Sequence, residues 1–190
     1  MKAKKTTGLL VVVLVVIALI VASVVSYNGI ISKEAEVESQ WANVESKLQR
    51  RYDLVPNLVN AVKGSMAHEE KVLTSITEAR TKMAGAKSVK DVSTANTAME
   101  GALSQLLVVM ENYPELKSNE NVKTLMTQLE GSENRISVER DRYNTAVKEY
   151  NVTIKKFPKS IFAKMAGFDQ KVFFEADKEA ESAPVVDLEN

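Results

Sequence analysis

The chain has 190 residues, with 25 basic and 25 acidic side chains, one histidine and no cysteine. That inventory excludes a disulfide framework, a thiol nucleophile and cysteine-ligated zinc, and its balanced charge offers no broad attraction to nucleic acid. At this length a sizeable core is available to one domain, so the order of apolar segments decides the fold class.

The first segment is an unbroken apolar run from Gly8 to Val25, preceded by Lys2, Lys4 and Lys5. It contains no charge, proline or amide side chain, and as a helix it spans about 27 Å, enough to cross a bilayer. A buried core helix would show a polar face within five turns. A cleavable signal peptide has a shorter apolar region of about 7–15 residues, although Ala22 and Ser23 are small enough for cleavage. A retained single-pass anchor over 8–27, contacting the lipid bilayer, is the expected arrangement, after a short basic N-terminus at 1–7. The first charges beyond the run are Lys33, Glu34, Glu36 and Glu38. The basic side stays cytoplasmic, which sends the rest of the chain to the extracytoplasmic side. Removing the three N-terminal lysines from the 25 basic residues leaves 22 against 25 acidic ones, a weakly acidic body with no broad attraction to nucleic acid or anionic lipid.

From Ile30 the periodicity is helical. Ile30, Val37, Trp41, Val44 and Leu48 form one stripe, so the anchor is expected to continue into the first helix of the body. Pro56 is expected to break it, with Asp53 as a cap for the next helix. A second stripe runs through Val55, Val59, Val62, Met66, Glu69, Leu73, Ile76, Arg80 and Met83, and ends near Gly85. A third uses Val92, Met99, Leu103, Leu106 and Met110, and closes at Tyr113-Pro114. The fourth, from about Asn119 to Lys156, carries Val122, Met126, Leu129, Glu133, Ile136, Arg140, Tyr143, Val147, Tyr150 and Ile154. Pro158 stops it. A short helix and an aromatic patch follow over Ile161–Phe174, then an acidic tail at 176–190 that is expected to be loose. Four stripes with short connections and no strand-like alternation predict an all-α chain: a transmembrane helix, then an elongated antiparallel four-helix bundle over 28–175.

Charges interrupt the stripes at fixed places. Glu69 and Arg80 fall on the second and Glu133 and Arg140 on the fourth, while Arg51 continues the first from Leu48. Unpaired buried charge costs several kcal/mol, so these five are expected to pair across helices in one or two polar layers. Three roles stay open for such layers: fixing register, lying solvated at a rim, or binding a ligand.

Catalytic constellations are missing. A di-metal carboxylate bundle needs two Glu-x-x-His units, and the only histidine, His68, is followed by Glu69-Glu70. There is no Gly-x-Ser-x-Gly and no Gly-rich phosphate loop. No catalytic residue, metal or cofactor is expected. Phe157, Phe162, Phe168, Phe173 and Phe174 cluster near the end of the folded part. They either cap the bundle or, at Phe168, Phe173 and Phe174, offer a partner-docking or membrane-skimming surface.

The segment Arg50-Arg51-Tyr52-Asp53-Leu54-Val55-Pro56-Asn57-Leu58-Val59 resembles the most recognisable stretch of the LemA family, with Arg50, Arg51, Asp53, Pro56 and Asn57 as its polar and proline positions. Tyr113-Pro114-Glu115-Leu116, Glu133-Asn134-Arg135-Ile136, Arg142-Tyr143-Asn144, Phe157-Pro158, Ala166-Gly167-Phe168 and Phe173-Phe174-Glu175 follow in the family's order. The likeness runs from about Tyr27 to Leu188. It implies a single N-terminal transmembrane helix, a helical-bundle body and a link to cell-envelope processes, and it carries no catalytic residue over. It also implies an extracellular N-terminus, against which the three lysines argue. The expected function is a non-enzymatic scaffold or adaptor of the bacterial cell envelope, working on a membrane or envelope protein or as a homo-oligomer, without nucleic acid. The alternative is a membrane-tethered sensor whose polar layers bind a small ligand.

Orientation is open to direct test because the chain lacks cysteine. Ser39→Cys and Ser182→Cys are expected to react with an impermeant thiol reagent in intact cells, or in spheroplasts where an outer membrane intervenes. Reaction confined to Ala3→Cys would reverse the topology.

Overall fold

A computed structural model describes residues 2–66 and 68–174, with side chains from Leu10 onward; the expected loose tail at 176–190 lies outside the described residues. Among the described residues there are six helices and no strand: α1 Lys2–Val62, α2 Glu70–Gly85, α3 Val89–Met110, α4 Pro114–Ser118, α5 Glu120–Lys155 and α6 Lys159–Ala166. The chain is all-α, as the stripes predict. The third and fourth stripes become α3 and α5 almost to the residue.

One expectation fails. Pro56 lies inside α1 and does not end it. Its ring removes one backbone hydrogen bond, a loss of about 3 kcal/mol in a helix interior. Val55 and Leu58 on either side are 1% and 0% exposed, so the packing of that stripe outweighs the loss. Asp53 is correspondingly no cap. It sits within α1 and accepts a hydrogen bond from Gln49 Nε2 at 2.8 Å. The chain turns instead over Lys63–Met66, where Gly64 and Ser65 are poor helix formers. The expected second stripe is therefore shared, Val55 to Val62 on α1 and Ile76 to Met83 on α2.

The described chain divides into two compact units. The first comprises the chain up to Trp41 together with Asn144–Lys171. The Leu, Ile and Val side chains from Leu10 to Val25 are each 46–65% exposed, whereas Ser26, Ile30 and Val37 on the same helix are buried. Ala146, Val147, Tyr150, Asn151 and Ile154 of α5 and Ala163 of α6 are buried with them. The Lys159 side chain of α6 reaches Gly29 of α1: a Cβ there would stand 3.1 Å from Lys159 Nζ. Gly167 closes α6 with φ +76°, a left-handed conformation that favours glycine.

After Gly167 the chain runs without regular structure and is held by side chains of α5. Asn151 Nδ2 donates to the Lys171 carbonyl and Asn151 Oδ1 accepts from the Lys171 amide, both at 2.9 Å. The Tyr150 hydroxyl donates to the Asp169 carbonyl at 3.0 Å. Lys171 pairs with Glu34 at 2.6 Å, and Lys33 bridges Glu36 and Glu149 at 2.7 Å each. Hydrogen bonds to these two carboxylates hold the Lys33 ammonium well above the ordinary lysine range.

The second unit comprises Ala42–Tyr143 and the residues from Val172 on. Its core is drawn from four helices. Val55, Leu58 and Val62 of α1, Ile76 and Ala79 of α2, Met99, Leu106 and Met110 of α3, and Val122, Leu125 and Leu129 of α5 form one cluster, with Leu116 of α4 closing an end. The turns between them are short, so consecutive helices run antiparallel and the unit is a four-helix bundle. A capping box starts α3: Ser88 Oγ accepts from the Asp91 amide at 3.1 Å, and the Asp91 carboxylate accepts from the Ser88 amide at 3.2 Å.

Asn151→Ala is expected to lower stability by about 2 kcal/mol, two hydrogen bonds at about 1 kcal/mol each, read as a lower melting temperature of the detergent-solubilised protein.

Candidate functional site

Arg51 is the one charged side chain in the buried set of the described residues, at 3% exposure. It is there because of helical period: three residues beyond Leu48 and four before Val55, it occupies a core position of α1. A guanidinium at such a site must be met by acceptors, and α3 and α5 supply them. Arg51 Nη1 donates to Asn96 Oδ1 at 2.8 Å and lies 3.8 Å from Glu100 Oε1. Arg51 Nη2 forms an ion pair with Glu133. Asn96 Nδ2 in turn donates to Glu100 Oε1 at 2.6 Å, so the amide links cation to carboxylate. Arg140 Nη1 stands 3.9 Å from the same Glu100 oxygen, and its guanidinium lies over the Phe174 ring, 4.9 Å from the centroid.

The cluster holds two guanidiniums and two carboxylates and is neutral as a whole. Burial lowers the Arg51 pKa and the nearby Arg140 charge lowers it further, while Glu100 raises it. Phe174 is 1% exposed, and the hydroxyl of buried Tyr143 donates to the Val172 carbonyl at 2.8 Å, fixing the chain that delivers this ring.

The expected network is only partly assembled. Arg51, Glu133 and Arg140 come together, but Glu69 and Arg80 have other partners. Glu69 is the residue before α2 rather than a mid-stripe position, and it accepts from the Tyr113 hydroxyl at 3.1 Å. The desolvated Tyr113 beside that carboxylate has its pKa raised. Arg80 stacks over Tyr52, 4.3 Å from the centroid. The displacement of Glu69 follows from α1 running through Pro56, which puts the turn at Lys63–Met66 and Glu69 at the start of α2.

Of the family-motif positions, Arg50, Asp53 and Asn57 are exposed on α1. Of the aromatic surface, Phe174 is buried and so presents nothing to a partner, Phe173 is 43% exposed, and Phe168 is half-buried against Tyr27. Two cluster members were missed in the sequence, Asn96 and Glu100. Their signal was the seven-residue gap in the third stripe between Val92 and Met99, because Asn96 stands four residues after Val92 on that same face.

A groove of about 590 Å³ opens beside the cluster, with Arg51, Glu100 and Glu133 at one side and Leu103, Leu107, Met126 and Leu129 along its wall. The Glu100 and Glu133 side chains are 33% and 38% exposed, so carboxylate oxygens reach it. The arrangement suits a donor-bearing ligand with an apolar body. A larger groove, about 900 Å³, lies along α1 and α2 and is walled by threonines and surface charges such as Lys63, Glu78 and Lys82. His68 is exposed, and among the described residues no three His, Asp or Glu side chains gather as a metal site would require.

Arg51→Met is expected to destabilise the protein by about 1–3 kcal/mol, because buried Asn96 loses its donor while Glu133, 38% exposed, regains water. Adding Glu133→Leu and Asn96→Leu should recover much of that loss in thermal melts. A single variant as stable as the parent would show that the cluster is not coupled.

Residues 40–188 match the LemA family. Among relatives, the magnetosome proteins MamQ 2 and MamQ 1 of Paramagnetospirillum magneticum are each 28% identical over 200 residues, covering 92% of this chain and 73% of theirs. The magnetosome protein MamQ of Magnetospirillum gryphiswaldense is 26% identical with the same coverage.

Proposed function

The chain belongs to the LemA family, and on that premise we propose that it is a non-enzymatic scaffold or adaptor of the bacterial cell envelope, tethered to the membrane through residues 8–27. It is a membrane-associated helical protein. The observation that carries the proposal is the apolar helix surface from Leu10 to Val25, where consecutive Leu, Ile and Val side chains stand 46–65% exposed. Water does not tolerate such a surface and a bilayer does. The likeness to the magnetosome proteins supports the same arrangement, since its 92% coverage reaches beyond the 40–188 segment. In this proposal the three N-terminal lysines remain in the cytoplasm and the bundle, with residues 28–175, works on the other side. Its partner is another membrane or envelope protein or a second copy of the chain.

A second reading, a ligand-binding sensor, has its own support in the groove beside Arg51, Glu100 and Glu133 with its apolar wall. Thermal melts separate the two. A ligand at about 100 times its Kd adds about 2.7 kcal/mol to the folded state, so a sensor gains several degrees with some member of a broad panel of small cationic and amide-bearing compounds. A scaffold gains nothing from the panel. Instead, photocrosslinkers at the exposed Leu107 and Val108 form one reproducible adduct in cells, which is lost when residues 8–27 are replaced by a cleavable leader. Absence of any adduct from surface positions around the bundle would sink the scaffold proposal.

A further inference from the structure

From the first unit we infer that α6 is an interfacial helix, lying on the bilayer surface beside the point where α1 leaves the membrane, with anionic lipid as its ligand. This rests on the reading of 8–27 as the membrane span. Two contacts set the level of α6. Lys159 packs against Gly29, and Phe168, just past the end of α6, lies against Tyr27 with ring centroids 5.8 Å apart. Gly29 is four residues beyond Val25, about 6 Å along the helix, which is headgroup depth.

At that level the unit exposes a concentrated apolar surface. Met165 and Phe157 are each 81% exposed and Ile161 is 49% exposed. Ile161 and Met165 are one turn apart on α6 and exposed, while Ala163 between them is buried and Phe162 is half-buried, so Ile161 and Met165 lie on the outer face. Phe157 stands just before the helix on the same approach. In water this is a cost with no structural return, because these side chains leave apolar area uncovered that the core could have used.

The charge pattern identifies the occupant. Lys155, Lys156, Lys159 and Lys164 lie among these residues, and no acidic residue occurs between Lys155 and Gly167. The body as a whole is weakly acidic, so this is a local reversal of sign. Large apolar side chains flanked by lysines, next to a membrane span, have the composition of a helix that seats its apolar face at the acyl boundary while its ammonium groups meet lipid phosphates. A protein partner would not require that level or that sign. Tyr27, 47% exposed beside Phe168, adds an aromatic of the kind that settles at membrane interfaces.

The test uses the full chain in vesicles, with Phe157→Cys, Ile161→Cys, Met165→Cys and Ser39→Cys each carrying an environment-sensitive fluorophore and spin-labelled lipid as quencher. All four positions are exposed or precede the helix, so folding is checked simply by melting temperature. In vesicles of phosphatidylcholine with phosphatidylglycerol, headgroup-level quenching at 157, 161 and 165 is expected to exceed that at 39 by at least about threefold, and to fall in pure phosphatidylcholine or high salt. Equal quenching at 165 and 39 would overturn the inference. Equal quenching in neutral and anionic vesicles would overturn the lysine–phosphate part. Disulfide formation between copies at Met165→Cys without lipid quenching would assign the face to self-association instead. A label at Val16→Cys keeps the two readings apart: quenching there by deep spin labels reports the span itself, whatever α6 does.

Discussion

A guanidinium that is 3% exposed constrains the second unit more than any apolar contact in it. Removing Arg51 from water costs several kcal/mol unless acceptors meet its planar fork, and here the two Nη groups are met while Nε has no hydrogen-bond partner. Asn96 and Glu100 answer from α3, and Glu133 answers from α5. Apolar ridges can slide by a turn at modest cost, whereas an ion pair cannot, so the cluster fixes which turn of α3 and α5 faces which turn of α1. The constraint then propagates outward. Arg140 joins through Glu100, its guanidinium covers Phe174, and Tyr143 holds the Val172 carbonyl that leads to that ring. Much of the packing beyond α5 in this unit thus traces back to one buried cation.

The first unit is organised by a different demand, namely satisfying backbone that belongs to no helix. The chain after Gly167 has amide and carbonyl groups without a helical ladder, and buried or half-buried ones must find partners. Tyr150 and Asn151, adjacent on α5, provide them at Asp169 and Lys171. The Lys171 ammonium then pairs with Glu34 of α1. Polar side chains here substitute for regular secondary structure. The apolar residues of the same unit divide into those that are buried, such as Ile30 and Val37, and those that stand exposed, from Leu10 to Val25.

A neutral cluster of two arginines and two glutamates, with the carboxylates partly open to a groove, serves structure first. Its arginines are engaged, Arg51 with Asn96 and Glu133 and Arg140 over the Phe174 ring. Such a layer gives the bundle a single packing arrangement, which is what a presenting surface requires. The groove beside it is the place where an effector would act in the ligand-binding reading.

The sequence by itself determined the apolar span from Gly8 to Val25, the all-helical class, the limits of α3 and α5, and the presence of charge at Arg51, Glu133 and Arg140 within core stripes. These are properties of local period and composition, which a chain carries whatever its neighbours are. Only the tertiary structure decided which charges meet. Glu69 falls just before α2 because α1 passes through Pro56 and the turn comes later, and Arg80, on α2, lies over Tyr52 instead of joining the cluster. Asn96 was visible as a polar residue on a stripe, but its role depends on Arg51 lying 45 positions away in the chain. Burial of Phe174, too, is set by a guanidinium and a tyrosine of α5, the tyrosine 29 residues before Val172. A residue's period shows which face it occupies. What stands opposite that face is fixed by packing between helices, and no periodicity encodes it.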